Sequence, residues 1–245
     1  MKTSPGARQE SRMTPVQTGD KTTGRPKSVV REYTESIIIA VVLALVIRTF
    51  VVQAFKIPSG SMEDTLLIGD HILVNKLSYG IQLPFMHDKI RVFGLMDGPD
   101  RGDIIVFPFP RDPSRDFIKR VVGLPGDRVE IRHHRAYING EALKEPYVKL
   151  DERAAMHPSR YSHWGPEVVP PGKLFVMGDN RDNSADSRDW GFLDSTQVKG
   201  RAFIIYWSWD SSEPKFFWLG NVPIPNPKAI LLDGIRWSRI GKLLQ

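Results

Sequence analysis

The stretch from Ser36 to Phe55, SIIIAVVLALVIRTFVVQAF, constrains this 245-residue chain more than any other. Its twenty residues would make about 30 Å of helix, close to the hydrocarbon thickness of a bilayer. Arg48 interrupts it. The unbroken apolar run, Ile37–Ile47, is eleven residues, a length that also suits a signal-peptide core or a buried soluble helix. An uncleaved anchor is the better reading, because more than thirty residues precede the run and Val51–Phe55 contains no A-x-A cleavage pattern. Arg48 is compatible with an anchor if its stem lies along the helix and its guanidinium reaches the headgroups. Lys21, Arg25, Lys27 and Arg31 flank the N-terminal side and only Lys56 closely follows the other end. That asymmetry predicts a cytoplasmic tail and an extracytoplasmic domain. Residues 1–35 read as a solvated tail without structure, 36–55 as the anchor and 56–245 as the domain.

Composition removes several functions. The net charge is +6, but residues 1–57 hold nine Lys or Arg against four Asp or Glu, leaving 25 basic and 24 acidic residues for the other 188. The globular part is thus almost neutral and lacks the clustered cations that nucleic-acid phosphates require, which argues against nucleic acid as a partner. With no cysteine there is neither a disulfide framework nor a thiolate metal site.

Beyond the anchor, short β-rich runs alternate with Gly, Pro, Asp and Asn: His71–Asn75, Asp103–Phe107, Phe117–Leu124, Arg128–Ile131, Lys173–Met177 and Arg201–Trp207. Asn139-Gly140 after Ala136-Tyr137-Ile138 predicts a hairpin turn. The pattern is that of an all-β domain. Gly80–Pro99 and Glu141–Gly172 are long and Pro-rich, as expected of insertions or a cap on a compact barrel.

Three constellations could carry chemistry. In Ile57-Pro-Ser-Gly-Ser-Met62, Pro58 fixes one φ and Gly60 permits a bend that could present Ser61, although alone it also reads as a linker. The histidines at 71, 87, 133, 134, 157 and 163 form no triad pattern. His133-His134 would face opposite sides of a strand, so they do not read as a metal pair. Lysine is left as a base. Lys119 in Phe117-Ile-Lys-Arg-Val-Val122 alternates onto one face with Phe117 and Val121, where apolar burial would lower its pKa; an exposed strand lysine is the alternative, and Arg120 reads as an exposed strand cation. The third is the polar run Gly178–Gly191, read as an Asx-turn loop or as a cluster that positions another group. It is not a calcium loop: counted from Asp182, Ser187 occupies the glycine position and Leu193 the glutamate position.

Taken in order, PSGSM, RGDIIVF from Arg101, FIKRVVGLPGDRVEI from Phe117, MGDNRDNSADSRDWG from Met177 and RWSRIGK at Arg236–Lys242 resemble bacterial type I signal peptidases. The resemblance implies a coiled, barrel-like β-sheet domain with a smaller β cap, here an insertion around residues 132–172, behind one transmembrane helix. It implies Ser61 as nucleophile, Lys119 as base, and an oxyanion hole from the Ser59 hydroxyl and the Ser61 backbone N–H. Ser184 would orient the lysine, with Asp186 and Arg188 in support. Phe55, Ile57, Met62, Ile72, Val106 and Ile118 would form shallow pockets for small side chains, so that cleavage follows Ala-x-Ala. The implied partners are signal peptides of exported preproteins and the lipid bilayer of the bacterial inner membrane; no metal or other cofactor is implied. Asp64, where many members have proline, and Asp189, where an aromatic usually precedes Trp190, depart from the family pattern. A self-cleaving regulator with the same chemistry would need a DNA-binding domain where this chain has an anchor. An inactive tethered β-domain is the other alternative, opposed by the presence of Ser61, Lys119 and Ser184 together.

Overall fold

The computed structural model describes residues 29–80, 98–149, 162–210, 216–219, 222–225 and 234–244. Helix α1 (Val29–Val46) continues into a π-turn (Ile47–Val51) that ends with the Val52 N–H donating to the Ile47 carbonyl. The segment Val30–Val51 is long and apolar enough to cross a membrane by length and composition, and its apolar stretch is not buried within the protein. Two boundaries differ from expectation. Residues 29–35, assigned to the tail, are helical, and Arg31 Nε donates to Glu35 Oε1 at 2.8 Å, an i,i+4 pair that supports the first turns. Val52–Phe55, assigned to the anchor, instead form strand β1 (Val52–Lys56). Backbone pairing wins there, because each of these residues finds a partner across the next strand, from Val52 opposite Asn75 to Phe55 opposite Ile72.

The chain then runs through β2 (Asp70–Asn75), β3 (Ile104–Phe109), β4 (Asp112–Gly123), β5 (Arg128–Arg132), β6 (Arg135–Ile138), β7 (Glu141–Ala142), β8 (His163–Val168) and β9 (Lys173–Met177). A short helix α2 (Ser187–Trp190), β10 (Leu193–Asp194), β11 (Gly200–Ser208), β12 (Phe216–Leu219) and β13 (Val222–Pro225) follow. The six expected runs are all strands, apart from Asp103 and Leu124 at two of their ends. β1, β2, β11, β3, β4, β9 and β10 form, in that order, one antiparallel sheet that is open rather than closed into a barrel. Register shifts in β11 and near Gly123 in β4 give it local bends. β7, β6, β5 and β8 make the smaller sheet, spanning Arg128–Val168 where a cap was expected around 132–172, and β12 pairs with β13.

Asn139-Gly140 forms the β6–β7 turn with φ of 55° and 92°. His133-His134 are not strand residues: they form the β5–β6 turn with φ of 49° and 65°, so strand alternation does not apply to them. Of the Gly80–Pro99 stretch, residues 81–97 lie outside the described residues, as do His87 and His157.

The main sheet is covered on both faces. Along β3, Ile104 and Val106 enter one cluster with Ile57, Met62, Ile72 and Ile205, while Ile105 and Phe107 enter another with Val121 and Val176. A third, around Val129, Ile131, Phe175 and Met177, joins the two sheets. The fully buried Asp70 ties the C-terminal segment to this core. It accepts from Arg239 Nη2 at 2.6 Å, Ser208 Oγ at 2.7 Å and the Leu67 N–H at 2.8 Å. Burial alone would raise its pKa, but these donors overcome that and hold it below the usual carboxylate value. This contribution to stability is present above the unfolded carboxylate range and is lost as pH falls through the folded pKa. Asp70→Ala leaves the Arg239 guanidinium without its partner and should cost about 3 kcal/mol in urea unfolding of the full chain in detergent; a cost below about 1 kcal/mol, typical of an exposed pair, would show that the tie is dispensable.

Candidate active site

Two elements bring a serine and a lysine together. After β1, the Ile57 N–H donates to the Asp70 carbonyl and Ile57 enters the core, so the chain leaves the sheet at a fixed point. Extended Ser59 leads into a single 3₁₀ turn, Gly60–Met62, whose Met62 is fully buried in the same core. Ser61 sits between these anchors. Across from it, on β4, Lys119 Nζ donates to Ser61 Oγ at 2.8 Å and to the Ile118 carbonyl at 2.9 Å. The ammonium lies 5.1 Å from the centre of the Phe117 ring, and only 3% of Lys119 is exposed. Burial penalises its charged form. The negative charges of Asp186 and Asp179 oppose that effect, the positive charge of Arg188 adds to it, and the pKa is brought down to about 8. Ser59, Ser61, Phe117, Ile118, Lys119 and Asn183 line a cleft of about 610 Å³. Among the described residues neither the Ser59 hydroxyl nor the Ser61 N–H makes a hydrogen bond.

The polar loop after β9 locks this arrangement from behind. The Asn180 N–H donates to the Ser61 carbonyl at 3.1 Å, and Asn180 Nδ2 donates to the Gly60 carbonyl at 3.1 Å. Gly178 is where the loop passes closest: a Cβ there would stand 2.3 Å from Ser184 Oγ and 2.4 Å from the Ser61 carbonyl oxygen. Its N–H donates to Asp186 Oδ2 at 3.1 Å, and Asp186, also buried, accepts from Arg188 through both oxygens, at 2.9 and 2.8 Å. Arg181 binds Glu145 and donates to the Gly178 carbonyl, tying the loop to the chain beyond β7. A hydroxyl held against an amine of depressed pKa, beside an accessible cleft with two free donors, is a set that can carry out nucleophilic acyl transfer.

A family model described as signal peptidase, peptidase S26, matches residues 30–207. A signal peptidase I of Pseudomonas fluorescens is 41% identical over 221 residues, covering 78% of this chain and 76% of its own. A signal peptidase I of Pseudomonas aeruginosa is 39% identical over 223 residues, with the same coverage of each chain. The chain belongs to the signal peptidase family. It is therefore a serine peptidase, a hydrolase of the family that removes signal peptides.

In this signal peptidase fold Ser61, Lys119 and Ser59 meet at one cleft, and Ser184, Asp186 and Arg188 lie in the loop behind it. The hydrogen bond from Lys119 to Ser184 implied by the resemblance is not formed: Nζ is engaged with Ser61 and Ile118, and Ser184 Oγ is buried without a partner among the described residues. Of the six residues assigned to shallow pockets, only Ile118 lines the cleft. Ile57, Met62, Ile72 and Val106 are buried in the cluster that also includes Ile118, and Phe55 packs against it. Arg120 is not an exposed cation. It is 1% exposed and forks Asp179 at 2.9 and 2.8 Å, because the second half of β4 is buried on both faces. His134 is likewise buried, its Nδ1 2.9 Å from Asp182 Oδ1. Sequence reasoning missed Gly178, Asp179 and Asn180 as positioning residues. The available signal was a glycine directly after a buried strand, a mark of close backbone approach. Gly178→Ala should lower peptidase kcat/KM at least about 100-fold, because misplacing reacting groups by about 1 Å costs that much; unchanged kcat/KM would show that the close approach is not needed.

Proposed function

We propose that Ser61 is the nucleophile and Lys119 the general base of a membrane-bound endopeptidase that removes signal peptides after Ala-x-Ala. The observation that carries this reading is the 2.8 Å contact between Lys119 Nζ and Ser61 Oγ at a lysine whose pKa is depressed to about 8. In the neutral form the amine accepts the serine proton as Oγ attacks the scissile carbonyl. The Ser59 hydroxyl and the Ser61 N–H stabilise the resulting oxyanion. Lys119 then hands its proton to the leaving amine. It next takes a proton from water, which attacks the acyl-enzyme, and returns that proton to Ser61 as the ester breaks. Ser184 offers its unsatisfied hydroxyl to the lysine as Nζ gives up its bond to Ser61, while Asp186 and Arg188 hold the loop that carries Ser184.

Specificity for small side chains follows from the filled space under the cleft. Phe117 and Ile118 form a wall, and Ile57, Met62, Ile72 and Val106 already occupy the volume beneath it. A methyl group fits such a shallow recess; a larger side chain would have to displace close-packed core. In the proposed topology Val30–Val51 crosses the inner membrane with the cationic N-terminal side in the cytoplasm and the catalytic domain outside. The preprotein's apolar segment then shares the bilayer with the enzyme, which raises its effective concentration.

Ser61→Ala and Lys119→Ala, each confirmed as folded, should abolish cleavage of a preprotein carrying an Ala-x-Ala site, with mass spectrometry locating the cut after the terminal alanine. Cleavage by either variant at the wild-type rate would remove the dyad. A wild type inert on several preproteins would favour a tethered binding domain. Because Lys119 must be neutral to act, kcat/KM should rise about tenfold per pH unit up to about 8 and then level off. A limb near 6.5, the ordinary histidine range, would assign the base to a histidine instead.

A further inference from the structure

A second cavity, of about 760 Å³, opens beside the end of the apolar segment, away from the peptidase cleft. Leu45, Ile47, Val52 and Leu73 contribute to its apolar lining, and among the described residues Arg48 and Lys76 are its only charged residues, with no Asp or Glu. Lys76 Nζ donates to the Thr49 carbonyl at 2.7 Å, which pins this lysine to the π-turn Ile47–Val51. Among the described residues neither Arg48 nor Lys76 has a carboxylate partner. Burial lowers the Lys76 pKa and the positive charge of nearby Lys199 adds to that, so an anion beside Lys76 would favour its charged form.

We propose that this cavity binds the anionic headgroup of a membrane lipid, with its phosphate between Arg48 and Lys76 and its first acyl methylenes against Leu45, Ile47 and Leu73. Position and chemistry agree on this occupant. Arg48 stands three residues before the end of the Val30–Val51 segment, about 4–5 Å along a helix axis, which is headgroup depth. A cavity with two cations at that depth and an apolar wall on one side has the polarity of a phospholipid at the interface. The idea rests on the proposed crossing of the bilayer by Val30–Val51.

The test uses the full chain in phosphatidylcholine vesicles with trace spin-labelled phosphatidylglycerol or spin-labelled phosphatidylcholine, comparing the motionally restricted fraction of each label. Wild type should favour phosphatidylglycerol, by about fivefold for each cation engaged. Arg48→Gln/Lys76→Gln should erase the preference, and Arg48→Lys/Lys76→Arg should keep it, with peptidase rates in detergent matching wild type as the check on folding. No preference in wild type, or a preference that survives the Gln substitutions, overturns the proposal. Displacement of the restricted phosphatidylglycerol by millimolar inorganic phosphate would make it a free-anion site and also overturn it. Alkaline carbonate extraction separates the two readings: release of the protein sinks the anchor and this site together, whereas retention without lipid preference sinks the site alone.

Discussion

The Arg120–Asp179 ion pair fixes the distance on which the site depends. Arg120 is the immediate neighbour of Lys119 on β4, and Asp179 the immediate neighbour of Gly178 in the loop after β9. Because side chains alternate along a strand, Arg120 can grip the loop while Lys119 turns to the serine. Both oxygens of Asp179 accept from the guanidinium, Thr65 Oγ1 donates to Oδ2 at 2.6 Å, and Arg120 Nη1 donates to the Gly102 carbonyl. A buried pair with its remaining valences filled contributes little over an apolar substitute, but losing one partner strands a charge at a cost of about 3–5 kcal/mol. Its value here is geometric. With Asp179 held, Gly178 lies against Ser184 and the Ser61 carbonyl, and Asn180 is in register with Gly60 and Ser61.

The same strand thus buries two cations with opposite outcomes. Arg120 meets a carboxylate and remains a structural charge. Lys119 meets a hydroxyl, a carbonyl and a phenyl ring, while its carboxylates act only at a distance. Desolvation wins over the attraction of Asp186 and Asp179, bringing the amine near the pH at which it can exchange a proton. Moving either carboxylate into direct contact would favour the ammonium and, in the proposed mechanism, remove the base. The Asp186–Arg188 pair answers that problem, because the arginine engages both oxygens of the carboxylate that most strongly stabilises the lysine's charge.

What was legible in the sequence was local. Strands such as Lys173–Met177 and the Asn139-Gly140 turn follow from residue preferences within a few positions, and so does the apolar environment of Lys119, which is set by its alternation with Phe117 and Val121. What was missed depends on a second layer. Arg120 reads as exposed until both faces of β4 are covered, and His133-His134 read as strand until β5 and β6 are seen to meet at them. The role of Gly178 is only partly visible locally, since half of its constraint comes from the Ser61 carbonyl, more than a hundred residues earlier, and half from Ser184 in its own loop. Pocket residues transferred from a family pattern mark a neighbourhood, and here most of them belong to the buried cluster that meets the cleft at Ile118.

The early end of the helix bears most directly on function. Had Val52–Phe55 stayed helical, the chain would enter the domain without a strand; as β1 they pair with β2 and commit the backbone to the sheet immediately after the apolar segment. Ser61 follows Val51 by only ten residues, a span of at most about 35 Å even if fully extended. Ile57, buried and bonded to Asp70, and Met62, buried in the same cluster, remove the slack from that connection. In the proposed topology and mechanism Ser61, as nucleophile, therefore cannot move far from the membrane surface, and the bonds within its reach lie just beyond the apolar segment of a polypeptide held in the same bilayer. In the proposed mechanism, choice of cleavage site then has two physical parts: a shallow cleft that admits small side chains, and a short, anchored tether that limits how far from the membrane the cut can fall.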